Sequence, residues 1–226
     1  MSDDASMVEG TIRGSGDMAV REATDRDLPA VVAVLAEAFH DDPVMGFIFG
    51  EGSASEAPRG PSDRHGALLT AFLANRILGG RGLDHVLVAD GPDGRIGAAA
   101  IWLAPHGPDD PQPDSSMARA VNSLALGEDV MAARIEALMP LFAASPATPN
   151  WYLFLVGTLA TARGRGLASA LITEVTDRCD AEGMGAHLQS SHPDNVPLYE
   201  RHGFVVTAEV TIEGGPTVPV MWRDPR

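Results

Sequence analysis

Within this chain of 226 residues, the segment from Leu159 to Ser169 is the part whose residue types and spacing point most directly to chemistry. It follows an apolar run, Trp151 to Leu159, and precedes a stretch whose apolar stripe is Leu167, Leu171, Val175 and Cys179. This pattern predicts a buried strand turning into an amphipathic helix. Gly164 and Gly166 let backbone N–H groups approach an anion closely, the helix start adds the positive end of its dipole, and Arg163 and Arg165 add side-chain charge. A pyrophosphate suits that arrangement. A Gly-x-Gly pair beside solvated arginines is by itself an ordinary turn, and it is the strand-turn-helix setting that favours an anion site.

Two common phosphate folds do not fit. A dinucleotide site needs a third glycine where Ser169 stands and several more βα units, yet the chain left after the turn suffices for roughly two units at ~30 residues each. A nucleoside triphosphate loop needs Gly-Lys-Ser/Thr, and no lysine is near. The seven histidines, at 40, 65, 85, 106, 187, 192 and 202, include no His-x-x-x-His pair, so no metal is predicted. Cys179 lies on the helix stripe and reads as core.

The whole-chain charge sharpens the anion argument. Lys and Arg number 16 against 31 Asp and Glu, a formal charge of -15 that repels phosphate backbones and argues against nucleic-acid binding. An anionic ligand must therefore be held by a local device, whereas a cationic small molecule is accommodated easily. One cysteine allows no internal disulfide, and the acidic start (Asp3, Asp4, Glu9) is unlike a signal peptide, so a cytoplasmic location is expected. No stretch approaches the ~18 apolar residues of a membrane span.

The elements that must position the turn follow from periodicity. Residues 1–17 are read as a flexible tail and 18–226 as one mixed α/β (α+β) domain. Met18 to Glu22 predicts a short strand. Thr24 and Asp27 form a capping-box-like start to a helix carrying Leu28, Val31, Leu35 and Phe39. A helix is predicted over Ser62 to Leu78, then a hairpin of Leu83 to Ala89 and Arg95 to Leu103. Ser115 to Ala144 suggests two helices broken at Gly127 or Pro140. Ala186 to Ser190 and Val196 to His202 predict a short strand and a short helix. Phe204 to Ile212 alternates apolar and polar residues as a strand should, and Thr217 to Trp222 pairs back onto it through Gly214 and Gly215.

The run Thr161 to Ala168, together with Asn195-Val-Pro-Leu-Tyr-Glu-Arg-His-Gly-Phe204 some thirty residues later, resembles the GNAT superfamily of N-acetyltransferases. Asn150-Trp-Tyr-Leu, Pro193 to Tyr199, Val20 to Thr24 and Ala38 to Pro43 are similar to the puromycin-type small-molecule members. The resemblance implies a central, mostly antiparallel mixed sheet with a splayed strand pair, flanked by helices. It implies acetyl-CoA as co-substrate and transfer to a primary amine by direct attack. The pyrophosphate loop maps onto Arg163, Gly164, Arg165, Gly166, Leu167 and Ala168. Pantetheine falls along Leu159 and Ala160, with Asn195 near CoA. Tyr199 matches the family's tyrosine that protonates the departing thiolate, as suits a phenol with a pKa of ~10. A backbone amide of the splayed strand is expected to stabilise the oxyanion.

The chain departs from the family at two positions. Thr161 replaces a Gln or Arg at the head of the loop, and Gln189 replaces the glutamate of the puromycin-type enzymes, which leaves the general base open among Asp41, Asp42, Glu37 or a water chain. Asp41, Asp42, Trp102 and Gln189 are the expected acceptor contacts. The expected acceptor is a small amine-bearing, preferably cationic molecule, with acetylation of a protein N-terminus or lysine, or a non-catalytic acetyl-CoA sensor, as the alternatives. Nothing in the sequence bears on oligomeric state.

Overall fold

The structure, a computed structural model, describes residues 19–50, 64–79, 85–105, 123 and 126–226. The tail predicted over 1–17 and most of the first of the two middle helices lie outside these residues.

Seven strands form one sheet in the order β1-β2-β3-β4-β5-β7-β6. They are β1 (Val20–Glu22), β2 (Val86–Asp90), β3 (Ile96–Leu103), β4 (Trp151–Thr158), β5 (Ala186–Gln189), β6 (Val205–Thr211) and β7 (Thr217–Arg223). All neighbours are antiparallel except β4 and β5. The predicted hairpin is β2–β3. Its turn closes through Gly91 N–H to the Arg95 carbonyl at 2.6 Å and uses Gly94 at φ 72°, a conformation glycine adopts at little cost.

Helices cover both faces. On one, α1 (Leu28–Ala38) and α3 (Arg64–Gly79) bury Val31, Leu35, Leu69 and Leu73 against Val88, Ala99, Ile101 and Leu155. Only half of the predicted start of α1 is present: Asp27 accepts from the Thr24 N–H and hydroxyl, both at 2.8 Å, and pairs with Arg21, but the helix begins at Leu28 with Asp27 as its cap and no side chain caps it. On the other face, α5 (Leu167–Glu182) buries Leu167, Leu171, Val175 and Cys179 against Leu87, Ala98, Ala100 and Trp102. Between them along the chain, α2 (Pro43–Phe49) is a helix where the sequence shows only a short apolar run, and α4 (Glu128–Ala143) packs Leu138 and Leu141 on Ile212, Val218 and Val220.

Of the two breaks considered, Gly127 is the one used: the helix begins after it at φ 91°, whereas Pro140 stands one turn from the C-terminal end, where losing one N–H costs a single helix bond. β6 is a strand as its alternation predicts, exposed along nearly its whole length at the outer edge of the sheet. One expectation is corrected. β4 is not buried on both faces: fully buried and half-buried residues alternate along it, and the half-buried Tyr152, Phe154 and Val156 border cavities.

The splay comes from β4. Ile101 pairs with Leu155 and Trp102 with Leu153, so Phe154 is an extra residue in the ladder. This bulge reverses the alternation, so Leu153 packs with the α5 cluster and Leu155 with the α1–α3 cluster. β5 pairs with β4 only from Trp151 to Leu153, and the edge of β4 facing β5 has no strand partner from there to Thr158.

Candidate active site

Directly after β4 the chain makes a 3₁₀ turn over Ala160–Ala162 and then enters α5 through Gly164 (φ 75°) and Gly166 (φ 82°). Gly166 is the helix cap and no side chain caps it; the first helical bond is Ala170 N–H to the Gly166 carbonyl at 2.9 Å. The N–H groups of Leu167, Ala168 and Ser169 therefore lack intrahelical acceptors and face outward at the positive end of a 16-residue helix. They open on a cleft of about 820 Å³ lined by Ala160, Arg163, Gly164, Gly166, Leu167 and Ala168, with Asn195 and Tyr199 also on its wall. This polar cradle suits the pyrophosphate of CoA, and the unpaired edge of β4 suits an extended amide-bearing chain.

Two of the expected cofactor contacts stand apart. Leu159 packs in the core with its N–H bonded to the Gly97 carbonyl at 2.9 Å, and Arg165 is exposed outside the cleft lining. Arg163 is held beside the strand end by donation from Nε to the Thr158 carbonyl at 3.4 Å. Glu37, on α1, accepts from the Ala160 N–H at 3.3 Å and so ties the turn to the opposite face of the sheet.

Tyr199 sits on α6 (Val196–Arg201), which follows a 3₁₀ turn at Pro193–Asn195. Its ring meets Phe204 edge-on, with centroids 6.4 Å apart. The residue is buried, 7% exposed. Burial, and then the charge of Asp42, raise its pKa, so the phenol keeps its proton throughout the neutral range.

Tyr199 borders a second cavity, of about 440 Å³. Phe39, Ile48, Phe72, Leu138, Phe142 and Phe154 are among its walls, drawn from the residue that ends α1 and from α2, α3, α4 and β4. No carboxylate is among the described residues that line it; the charged side chains are Arg76 and Arg134. Arg76 lies 4.9 Å from the centre of the Phe154 ring, and Arg134 donates to the carbonyls of Ile48 and Gly50. Burial lowers the pKa of Arg134. Phe39, Val156, Asn195 and Tyr199 line both spaces, so the polar cleft and the apolar cavity meet there.

The expected acceptor contacts separate. Gln189 lines the apolar cavity, but its amide is engaged: Nε2 donates to the Leu141 carbonyl at 2.9 Å and to Ser145 Oγ at 3.2 Å, and Oε1 accepts from Tyr152 at 3.2 Å. Burial pushes the Tyr152 phenol up to about 12. Trp102 is 1% exposed in the α5-side core and lines neither large space. The carboxylate of Asp41 is half exposed and lies 3.0 Å from the His40 ring. Asp42 is buried; it caps α2 through Oδ1, which accepts from Val44 and Met45 N–H at 2.9 Å, and Oδ2 accepts from the Ser191 hydroxyl. Ser191 was not foreseen, because a serine after a short strand has no spacing signature.

Residues 26–204 match the model of the acetyltransferase (GNAT) family, and the chain belongs to that family. A Corynebacterium glutamicum structure described as histone acetyltransferase HPA2 and related acetyltransferase is similar, with a TM-score of 0.67 and 25% identity over 92% of this chain and 96% of that one. Arylalkylamine N-acetyltransferase 2 of Aedes aegypti shares the fold at a TM-score of 0.60 and 14% identity, over 93% of this chain and all of that one. An uncharacterized N-acetyltransferase of Schizosaccharomyces pombe is 37% identical over 79 residues; the match spans 34% of this chain and 32% of that relative's length. Among the described residues no helix is long and apolar enough to cross a membrane, and no group of three or more His, Cys, Asp or Glu side chains is placed to hold a metal.

Proposed function

We propose that residues 18–226 act as one acetyltransferase domain that moves an acetyl group from acetyl-CoA to the amine of an apolar small molecule, with Tyr199 as general acid. The observation that carries this reading is the meeting of a polar, backbone-lined cleft with an apolar cavity at Tyr199. Acetyl-CoA supplies an activated thioester and a thiolate leaving group. The turn from Arg163 to Ala168 binds its pyrophosphate through backbone N–H groups. The unpaired edge of β4 orients the pantetheine, and its amides favour the developing oxyanion. Tyr199 holds a proton on Oη at the junction, ready for the sulfur.

The cavity changes the expected acceptor class. A polycation would be desolvated beside Arg76 and Arg134 with no carboxylate to pair it, whereas an aromatic or alkyl monoamine matches the walls. Thiol release from acetyl-CoA with phenethylamine, spermidine, puromycin and a lysine peptide tests this. Transfer to phenethylamine at the highest kcat/KM is expected. Transfer only to spermidine or the peptide would overturn the apolar assignment, and a protein that binds acetyl-CoA but acetylates none of them would fit a sensor instead.

A further inference from the structure

The reaction needs a group that takes a proton from the amine, and Gln189, with its amide engaged at both ends, offers no basic atom. We propose that Ser191 and Asp42 form a proton relay serving the acceptor cavity, in which Ser191 Oγ touches the amine and Asp42 Oδ2 receives the proton through it. This rests on the acetyltransferase reading above.

The geometry is specific. Oδ1 of Asp42 is saturated by two backbone N–H groups, which leaves Oδ2 for the Ser191 hydroxyl. A serine has one proton to donate, and because Ser191 donates it to Asp42, only oxygen lone pairs remain for other partners. Ser191 lines the apolar cavity, whereas Asp42 lines the cofactor cleft. The pair therefore spans the wall between the two spaces beside Tyr199, which lines both. Burial pulls the Asp42 carboxyl upward from its ordinary value, while the Ser191 hydroxyl, the two N–H groups and His192 oppose that rise.

The protons balance. An alkylammonium gives one proton to Ser191 Oγ as the serine's own proton passes to Asp42 Oδ2, and Asp42 later releases it to solvent through the open cleft. As the nitrogen bonds to the acyl carbon, Tyr199 Oη gives its proton to the sulfur whose bond to that carbon breaks, and recovers one from the nitrogen. One N–H remains on the amide.

The test uses two amines of similar shape and different basicity: phenethylamine, an ammonium at neutral pH with a pKa near ~10, and benzyloxyamine, which is already neutral there. Asp42→Asn keeps the helix cap but cannot take a proton, and Ser191→Ala keeps the carboxylate but breaks the relay. Both variants are expected to lose about 100-fold in kcat with phenethylamine and less than about threefold with benzyloxyamine, with acetyl-CoA affinity and thermal melting near wild type. Equal losses with both amines, or no loss, would overturn the relay alone. A wild-type protein that acetylates neither amine would overturn the apolar-amine reading and the relay with it.

Discussion

The cleft and the cavity that meet at Tyr199 are built from opposite materials. The cleft is made largely of backbone: two glycines at positive φ, an uncapped helix start and a strand edge released by a bulge. The cavity is made of side chains contributed by α2, α3, α4, β4 and β5 and by Phe39 at the end of α1. The first can hold any ligand with a suitably placed anion and amides, and in the proposed function it takes the donor. The second is shaped residue by residue, and in the same proposal it selects the acceptor. Variants on the two sides should therefore separate donor binding from acceptor binding.

Four measurements probe that separation, in descending order of effect. Tyr199→Phe, at the junction, is expected to lower kcat about 100-fold or more while leaving acetyl-CoA affinity unchanged, because the phenol contributes a proton and little contact; stopped-flow thiol release and calorimetry report the two quantities. Gly166→Val forces a β-branched residue to positive φ, a strain of ~1–3 kcal/mol that lowers thermal stability; relieving it shifts the turn whose N–H groups form the cradle, and acetyl-CoA is expected to bind about 10-fold more weakly. Phe154→Ala removes one cavity wall and should raise KM for phenethylamine about tenfold with the acetyl-CoA Kd unchanged. A donor defect in Phe154→Ala, or an acceptor-selective defect in Gly166→Val, would dissolve the distinction.

The smallest effect lies away from both spaces. Asp180 is gripped by the Arg223 guanidinium at 2.7 and 2.8 Å and by the Arg226 N–H at 2.7 Å, which lower its pKa to about 2. A carboxyl depressed in the folded state adds stability above its unfolded pKa of ~3.9 and loses that contribution as pH falls toward the folded value. Wild type should therefore lose melting temperature between about pH 4 and 2 more steeply than Asp180→Asn. At pH 7 the variant should melt about 2 °C lower with both Kd values intact. Differential scanning calorimetry across that range checks it.

The same contrast governs what the sequence reveals. The glycine turn is local: strand, glycines, arginines and helix stripe occur within a short run, and Ala160, Arg163, Gly164, Gly166, Leu167, Ala168, Asn195 and Tyr199 all line one cleft. The cavity draws on residues from Phe39 to Val218, and its floor depends on α2 and α4, whose packing no local periodicity encodes. Asp42 shows the difficulty within one residue: a carboxylate after a helix reads as a solvated turn, yet Ser191, 149 residues away, turns it into a buried hydrogen-bond acceptor. β6 shows the converse, since clean alternation gives strand but not burial when the strand ends up at a sheet edge.

The parallel ladder between β4 and β5 is only three residues long. Apart from that ladder, the sheet divides into β1–β4 and the β5-β7-β6 unit, each internally hydrogen-bonded along its strands. Amide hydrogen exchange would then proceed in two steps, with β6 and the N–H groups on the β5-facing edge of β4 exchanging first and the β2–β3 pair last. Because the seam between the two halves is also the wall of the cleft, a ligand lying along it would act as a molecular suture, slowing exchange on both sides of a junction that the protein itself closes with few bonds.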